Sequence, residues 1–310
     1  MFIYKSNKRI ILLLCVFVSV FSYLLFGLNG GIAYSATTEQ VNYPYYACTD
    51  GKMIYYAVGL DHQGGKLYMY NPETKKQRLV SNLSCSQLCI TSYNIYCTVN
   101  NNYGTDGSDR FIYKMSKDGS KVKKLASGYS PVVIGKYVYY IAVKKQLFSD
   151  GVYRETGSIG IYRMDSNGGQ KKCIRKFDSK FGTNRIMAGK DRIIAKNYVN
   201  SKLYAMSLSG GLKRIDATSN MRITTTFDNI KISNNIYGYS YSSSGNALIK
   251  HKGTAKKVIY RFPKNEYGNG TISSITDLGK YLFVTTGMNA YVLTKDGTNV
   301  KRVAIALMGN

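Results

Sequence analysis

The sequence of 310 residues contains no tryptophan, four prolines and two histidines. Acidic residues are also scarce: 17 stand against 43 lysines and arginines, which gives a formal net charge of +26 at pH 7. Two imidazoles and so few carboxylates leave few candidates for proton-transfer chemistry. The low proline count, together with 30 glycines and 29 tyrosines, favours strands and turns over a helical bundle. A hydrophobic fraction of 44% excludes a disordered chain, in spite of the charge.

Residues 1–36 have the tripartite order of a secretory signal. Lys5, Lys8 and Arg9 form a basic start, and the uncharged run Ile10–Leu28 follows, dominated by Ile, Leu, Val and Phe. The chain then becomes small and polar up to residue 36. This order predicts that the protein is exported, either secreted or held at the cell surface.

The end of this segment favours cleavage after Ser35, because Ala33 then lies at the −3 position, where a small side chain is expected. An uncleaved membrane anchor is the alternative, since an apolar run of this length can just span a bilayer. The basic residues precede the apolar run, so the rest of the chain faces outward in both cases.

Six cysteines include Cys15 inside the predicted signal, and five follow it. An odd number in an exported chain cannot pair completely. Cys85 and Cys89 lie four apart, so on a regular strand they share a face and do not easily bond each other. One interpretation is a metal cluster or a disulfide between neighbouring strands; the favoured one is small buried core residues. The five are Cys48, Cys85, Cys89, Cys97 and Cys173.

One phrase recurs along the chain: a short apolar and aromatic run, a turn, usually with glycine, and a basic run that closes on an apolar residue. Phe111–Met115, Lys117–Ser120 and Lys121–Leu125 form one such phrase. A second β-rich run precedes each phrase, and a further short apolar run precedes that one. The phrase returns every 42 to 49 residues, measured between Leu67, Ile112, Ile161, Leu203, Leu248 and Ala290.

Each unit therefore holds about four short strands at a period of about 45 residues, the signature of a β-propeller blade. No unit can bury both faces of its sheet alone, so all six must stack in a ring. The sequence predicts an all-β, six-bladed β-propeller over residues 37–310, with four antiparallel strands per blade, after an N-terminal signal helix. The units, called repeats 1 to 6, span about 41–82, 83–127, 128–177, 178–218, 219–263 and 264–310.

The ring is expected to close without strand exchange between the two ends of the chain. Val41–Ala47 should form the first strand of repeat 1, and Val300–Leu307 the last strand of repeat 6. Closure then rests on side-chain packing between these two repeats.

Two of the phrases resemble a known family. Ile112–Ser120 and Ile161–Gly168 look like the blade phrase of low-density-lipoprotein-receptor-type (YWTD) six-bladed propellers, specifically the secreted clostridial and bacillar family of unknown function. The resemblance covers nearly all of 41–307 and implies the propeller fold. The second-strand phrase reads Tyr-Tyr where the animal proteins have Tyr-Trp-Thr-Asp, so the resemblance implies fold and not receptor biology.

Two connections between second and third strands are long, and such connections open on the propeller face where ligands usually bind. They are Asn100–Asp109 in repeat 2 and Lys144–Ile159 in repeat 3, which should rise side by side. Their aromatic, acidic and arginine side chains suit a protein, peptide or glycan ligand; the alternative is that both are solvated insertions. The candidate ligand-binding residues are Tyr103, Asp106, Asp109, Phe148, Asp150, Tyr153, Arg154 and Glu155.

Catalysis on the same face is the alternative function. A carboxylate pair, Asp109 with Asp150 or Glu155, could serve an extracellular polysaccharide lyase or hydrolase. His62 and His251, the latter expected in an outer turn, should lie far apart, and no Ser-His-acid order or zinc motif occurs. No catalytic residue, metal or cofactor is therefore predicted, and a binding module at a bacterial cell surface is the favoured function.

Most of the excess positive charge lies in the outer turns and fourth strands of the repeats. Lysines on an unpaired edge strand discourage strand addition by another molecule. The functional alternative is retention on an anionic cell-wall polymer or membrane surface. Nucleic acid is not expected, because an exported protein meets other polyanions first. The candidate polyanion-contacting residues are Lys123, Lys124, Lys171, Lys172, Lys256 and Lys257.

Overall fold

The structure is a computed structural model that describes most of the chain after residue 38. The chain divides into two units, 1–35 and 36–310, and every described residue belongs to the second. The predicted export signal, with Cys15, therefore lies outside the described residues. No described helix is long and apolar enough to cross a membrane. The described residues are 39–41, 46–58, 64–101, 109–189, 191–215, 221–223, 225–226, 238–242, 244–252, 255–263, 271–286 and 289–303.

Every regular secondary-structure element in the described part of the chain is a β-strand, so the fold is all-β as predicted. In chain order they are β1 (Glu39–Val41), β2 (Ala47–Thr49), β3 (Ile54–Ala57), β4 (Gly65–Tyr70), β5 (Gln77–Ile90), β6 (Asn94–Asn101), β7 (Asp109–Ser116), β8 (Lys123–Ile134), β9 (Tyr137–Leu147), β10 (Tyr153–Asp165), β11 (Lys172–Lys176), β12 (Ile186–Ala188), β13 (Arg192–Lys196), β14 (Leu203–Ser207), β15 (Leu212–Ile215), β16 (Met221–Ile223), β17 (Thr225–Thr226), β18 (Gly238–Tyr241), β19 (Ala247–Lys252), β20 (Ala255–Arg261), β21 (Ile272–Asp277), β22 (Tyr281–Thr286), β23 (Asn289–Thr294) and β24 (Lys301–Val303).

Repeats 1 to 3 share one antiparallel sheet of ten strands, β2 to β11, in which each strand pairs with the next along the chain. The sheet is continuous because β5 and β8 each serve two repeats. The first half of β5 pairs with β4, and from Cys85 onward β5 pairs with β6. β8 pairs in the same way, first with β7 and then with β9. The sequence analysis predicted a separate sheet for each of these repeats. The sequence pattern does not show that the last strand of one repeat continues as the first strand of the next.

The later repeats form smaller sheets. Repeat 4 is the four-stranded sheet β12 to β15, repeat 5 contributes β18 to β20, and repeat 6 contributes β21 to β24. The short strand β17 extends the last sheet by pairing with β21. The described strands are thus antiparallel neighbours within each repeat, but they do not make six separate four-stranded sheets.

The N-terminal strand differs from the prediction. The first strand of repeat 1 is Ala47–Thr49, whereas the sequence placed it at Val41–Ala47. Residues 42–45 lie outside the described residues. Glu39–Val41 pairs instead in parallel with Met221–Ile223. Among the described residues β24 pairs with β23, and residues 304–307 of the predicted last strand lie outside them. The expected closure without strand exchange stays a prediction.

Buried aromatic and aliphatic side chains join neighbouring repeats. Clusters of them connect repeats 1 and 2, 2 and 3, 3 and 4, and 5 and 6. A further cluster contains residues of repeats 1, 4 and 6. In this cluster the ring centres of Tyr56 and Phe283 lie 5.3 Å apart, and burial of side chains of this size contributes about 2–3 kcal/mol each. Repeats 1 and 6 therefore pack directly through side chains.

The cysteines behave mainly as core residues. Cys48, Cys85 and Cys97 are buried, all five described cysteines carry free thiols, and the Sγ atoms of Cys85 and Cys97 lie 3.4 Å apart. Burial raises the pKa of the Cys48 thiol well above its ordinary value and that of Cys89 to about 11. Neither is a thiolate nucleophile near neutral pH. Among the residues described, no group of three or more His, Cys, Asp or Glu could hold a metal ion.

A β-bulge separates Cys85 from Cys89. The pairing of β5 with β6 shifts register beside Gln87, whose φ is 49°. Cys85 packs between repeats 1 and 2, whereas Cys89 packs against the cluster between repeats 2 and 3. The expectation that these cysteines share a strand face is wrong, because the extra residue reverses the side-chain alternation.

Glycines in the outer turns set the distance between repeats. Gly119 follows Asp118 in the turn after β7, has a φ of 92° and donates its N–H to the carbonyl of Ser116. A Cβ at this position would overlap the backbone carbonyl of the preceding repeat. The predicted Asp-Gly turns are therefore also packing contacts. The glycine–carbonyl contacts of this kind are Gly119 with Val80, Gly210 with Ile174 and Gly297 with Ile259.

We expect Gly119→Ala to lower the free energy of unfolding by about 3 kcal/mol. An L-residue at positive φ costs about 1 kcal/mol, and relief of the overlap with Val80 costs about 2 kcal/mol more. Gly279→Ala is the matched control, because Gly279 has a similar φ of 82° but no heavy atom within 4 Å of the Cβ position. Urea unfolding measures both losses. Equal losses in the two variants would show that the contact between repeats is unimportant.

Candidate functional site

The segment Lys144–Ile159, predicted as a loop, is the outer part of a long β-hairpin. β9 continues to Leu147 and β10 begins at Tyr153, with a short turn between them. In this turn the N–H of Phe148 donates to the carbonyl of Val152 at 3.0 Å. The prediction was wrong because a polar segment without proline can continue a hairpin, and β10 accommodates its glycines at two β-bulges.

An ion pair anchors this hairpin to repeat 2. The guanidinium of Arg110 on β7 donates two hydrogen bonds to the carboxylate of Glu155 on β10, with Nε 3.1 Å from Oε2. It also lies 3.5 Å from the ring centre of Tyr129, whose hydroxyl oxygen is 2.8 Å from that of Ser158. Burial is the largest single effect and disfavours the charged guanidinium, but the hydrogen bonds and charges of Glu155 and Tyr129 together outweigh it and raise the pKa of Arg110. A bidentate pair of this kind fixes geometry as well as charge.

A second contact between the same repeats lies beside this anchor. The Nζ of Lys145 on β9 is 2.9 Å from Oδ1 of Asp109 and 4.0 Å from the ring centre of Phe111 on β7. The Nζ of Lys124 on β8 lies 3.2 Å from the same ring centre. Asp109 and Glu155 are thus each held by a cation of the neighbouring repeat. The described parts of the two predicted connections do lie side by side.

The hairpin tip presents apolar side chains to solvent. The exposed fraction is 59% for Tyr153 and 41% for Phe148. Arg154 lies 5.1 Å from the ring centre of Phe148 and donates to the carboxylate of Asp150 at 3.1 Å. This hydrogen bond lowers the pKa of Asp150. The other large apolar residues exposed on the hairpin are Leu147, Val152 and Ile159.

The candidate ligand-binding residues separate into two groups. Tyr103 and Asp106 lie outside the described residues. Asp109 and Glu155 form the ion pairs between repeats 2 and 3. Phe148, Asp150, Tyr153 and Arg154 lie at the hairpin tip.

Sequence reasoning missed the residues that connect these groups: Arg110, Phe111 and Lys145. The loop interpretation hid Lys145, because a loop gives no side-chain direction. Arg110 and Phe111 lie outside the two predicted loops, and the sequence does not show which residues they contact. The alternation of a continued strand would have placed Lys145 and Val143 on one face of β9.

His251 lies on β19 and not in an outer turn, because this strand extends to Lys252. Its Nε2 is 2.5 Å from the hydroxyl oxygen of Ser240 on β18. Burial lowers the pKa of His251, and the nearby charge of Lys256 lowers it further. His62 lies outside the described residues.

The candidate polyanion-contacting lysines are all exposed. Lys172, Lys256 and Lys257 lie on strands whose outer edge is unpaired, whereas Lys123 and Lys124 lie on β8, which continues and pairs with β9. β11, β15, β20 and β24 are the last strands of their sheets. Several cations on these strands lie directly opposite another cation, an arrangement that destabilises a sheet. The pairs are Lys114 with Lys123, Arg163 with Lys172 and Lys250 with Lys257.

Part of this charge also ties one repeat to the next. The Nζ atoms of Lys114 and Lys123 both donate to Asn167 in the outer turn of repeat 3, each at 3.0 Å. The ammonium of Lys114 therefore donates to the side-chain amide oxygen of Asn167, and that of Lys123 to its backbone carbonyl. These lysines have a structural role in addition to their exposure.

Comparisons with known proteins show the fold and not the family. No family model and no curated protein matches the chain. The tricorn protease structure matches with a TM-score of 0.50 and 14% identity over 88% of this chain, which spans 27% of that protease. Two further solved structures match with lower scores. The periplasmic gluconolactonase of Pseudomonas aeruginosa has a TM-score of 0.44, with 8% identity over 80% of this chain and 93% of its own.

The β-propeller domain of the Trilobed protease from Pyrococcus furiosus is the other solved structure that matches with a lower score. Its TM-score is 0.40, with 12% identity over 86% of this chain and 85% of its own. The structures that match are β-propeller proteins, several of them enzymes. At this identity the likeness shows a β-propeller fold and carries no activity to this chain. The resemblance to the YWTD-type bacterial family stays a prediction.

We expect Arg110→Met to lower the free energy of unfolding by about 2 kcal/mol, because it leaves the carboxylate of Glu155 without its cation in a site that is largely closed to water. The exposed fraction of the Glu155 side chain is 8%. Arg154→Met is the control, since its partner Asp150 is 47% exposed and such a pair contributes about 0.5 kcal/mol. Urea unfolding at pH 7 compares the two. A loss in Arg110→Met no larger than in the control would contradict the anchor.

Proposed function

We propose that the protein is an exported six-bladed β-propeller that binds a protein, peptide or glycan ligand at the bacterial cell surface. The observation that carries this proposal is the hairpin tip, where Leu147, Phe148, Val152 and Tyr153 are exposed together. Soluble proteins rarely leave several large apolar side chains grouped in water without a binding role. The anchor at Arg110 gives this tip a fixed support, which lowers the entropic cost of binding.

Six blades are supported by the six sequence repeats and by the packing between the first and last of them. The contact of Tyr56 with Phe283 joins repeats 1 and 6 through side chains. The basic start and apolar run of residues 1–36 support export, with a membrane anchor as the outcome if cleavage does not occur.

The chemistry of the tip fits a ligand that has both flat apolar faces and hydrogen-bonding groups. Phe148 and Tyr153 offer rings for stacking, and Arg154 and Asp150 offer a donor and an acceptor. The equivalent connection in repeat 4 exposes Tyr198, at 57%. Since connections of this kind open on one face of a propeller, the binding face extends from repeat 3 to repeat 4.

An extracellular polysaccharide lyase or hydrolase has less support. A general acid of a glycosidase needs a raised carboxyl pKa, but each described carboxylate of the face has a cationic partner. The pKa of Asp150 is lowered by its hydrogen bond from Arg154. The pairs are Asp109 with Lys145, Asp150 with Arg154 and Glu155 with Arg110.

We also propose retention on an anionic cell-wall polymer or membrane surface, which one observation favours. Cations lie opposite cations on the edge strands of repeats 3 and 5, as in Arg163 with Lys172 and Lys250 with Lys257. Phosphates of a polymer would relieve this repulsion. Edge protection explains lysines on these strands equally well, so the two explanations need an experiment.

The hairpin tip is tested with the double variant Phe148→Ser, Tyr153→Ser. We expect at least a tenfold loss of binding to whole cells and to any hit on a glycan array, since aromatic anchors carry most of the energy of such contacts. Tyr93→Ser is the control. Tyr93 is 81% exposed but lies in the turn between β5 and β6, at the other end of β6 from Asp109 and the hairpin. Equal binding by the tip variant and the parent would refute the proposal.

Retention on polyanions is tested with a variant that changes Lys171, Lys172, Lys256 and Lys257 to Gln. Binding to purified wall polymer should fall steeply between about 50 mM and about 500 mM salt, because exposed charges are screened over about 10 Å at 0.1 M. The variant should bind more weakly at every salt concentration. Salt-insensitive retention would eliminate the electrostatic proposal, and aggregation of a variant that still binds polymer would favour edge protection.

A further inference from the structure

Resting on the proposed binding function, we infer that Lys124, Lys145 and Phe111 form a binding site for one anionic group, a carboxylate or a phosphate, of an extracellular polymer. The site lies where repeat 2 meets the hairpin of repeat 3. It joins the two surfaces that the sequence suggested separately, because Lys124 belongs to the edge lysines and Asp109 to the ligand-binding candidates.

The charges at this position are not balanced. Two ammonium groups contact one ring, with Nζ 3.2 Å from the centre of Phe111 for Lys124 and 4.0 Å for Lys145. One carboxylate, that of Asp109, neutralises Lys145 at 2.9 Å. Within the described part of the chain no carboxylate forms an ion pair with Lys124. The group is therefore one negative charge short of neutrality.

The neighbouring carboxylate does not supply the missing charge. Glu155 is occupied by two hydrogen bonds from Arg110, and its side chain is 8% exposed. Arg110 is itself stacked on Tyr129. The anchor is therefore complete and rigid, and the unbalanced charge is confined to Lys124.

An added anion would stabilise the charged form of the Lys124 side chain. Burial against Phe111 and repulsion from Lys145 lower its pKa, and the charge of Asp109 offsets this only in part. An anion next to Nζ would favour the charged form. Lys124 is exposed, so a ligand in solvent can reach it, whereas the ring of Phe111 is 6% exposed and holds the ammonium in place.

A group on a polymer fits this position better than a small free anion. A single ammonium beside a satisfied ion pair provides one charge-assisted hydrogen bond, which is weak alone. The exposed rings of the hairpin tip belong to the same sheet as Lys124. An extended polymer that also reaches these rings would gain further contacts. Specific placement of one acidic group would then fix the register of the polymer.

The test compares Lys124→Gln with Lys213→Gln in the otherwise intact protein. Lys213 is exposed like Lys124 and lies on the edge strand β15, opposite Ala205, so both variants lose one surface charge. Binding is measured to polygalacturonate for the carboxylate, to polyphosphate for the phosphate, and to dextran as a neutral chain. We expect about tenfold weaker binding to one or both anionic polymers for Lys124→Gln, less than twofold for Lys213→Gln, and near-parent binding for Lys124→Arg.

The outcomes separate this inference from the proposed function. Equal losses in the two Gln variants, or no binding of either polyanion by the parent, would overturn the site at Lys124. Loss of cell binding by the hairpin-tip variant in the same series would leave the proposed function intact. Lys124→Gln should have the same urea unfolding midpoint as the parent, which ensures that a lost affinity reports the site and not a loss of folded protein. The polymer that loses affinity identifies the anionic group.

Discussion

The close approach of the outer turns of repeats 2, 4 and 6 to the fourth strand of the preceding repeat is the constraint on which the described architecture depends. At Gly119 the absence of a side chain lets the turn rest on the carbonyl of Val80, and the same contact recurs further along the chain. Because a Cβ there would overlap the backbone, the distance between neighbouring sheets is fixed. The buried side chains of adjacent repeats can then interlock at the density of a protein interior.

The same turns receive hydrogen bonds from basic side chains of the preceding repeat. Much of the positive charge is therefore placed where it can satisfy carbonyls that a tight turn leaves unpaired. This gives lysine and arginine a structural role that net charge alone does not suggest. The contacts are Arg78 to the carbonyl of Asp118, Lys123 to that of Asn167 and Lys250 to that of Lys295.

At the hairpin of repeat 3, basic side chains also connect neighbouring repeats. Two ion pairs connect repeats 2 and 3 there: Arg110 of repeat 2 pairs with Glu155 of repeat 3, and Lys145 of repeat 3 pairs with Asp109 of repeat 2. These contacts leave the carboxylates structurally engaged and the apolar tip exposed. Among the described residues Lys124, which contacts the ring of Phe111 beside the pair of Lys145 with Asp109, forms no ion pair with a carboxylate.

The sequence by itself determined the features that depend on neighbouring residues. Alternation of apolar and polar residues marked the strands, and Asp-Gly pairs such as Asp118-Gly119 marked the turns, since both patterns act within a few residues. Only the tertiary structure decided the continuity of β5 and β8, the bulge at Gln87, and the parallel pairing of Glu39–Val41. It also decided the ion pair of Arg110 with Glu155, which are 45 residues apart. Register and bulges set the direction of a side chain, and they are fixed by partners distant in the sequence.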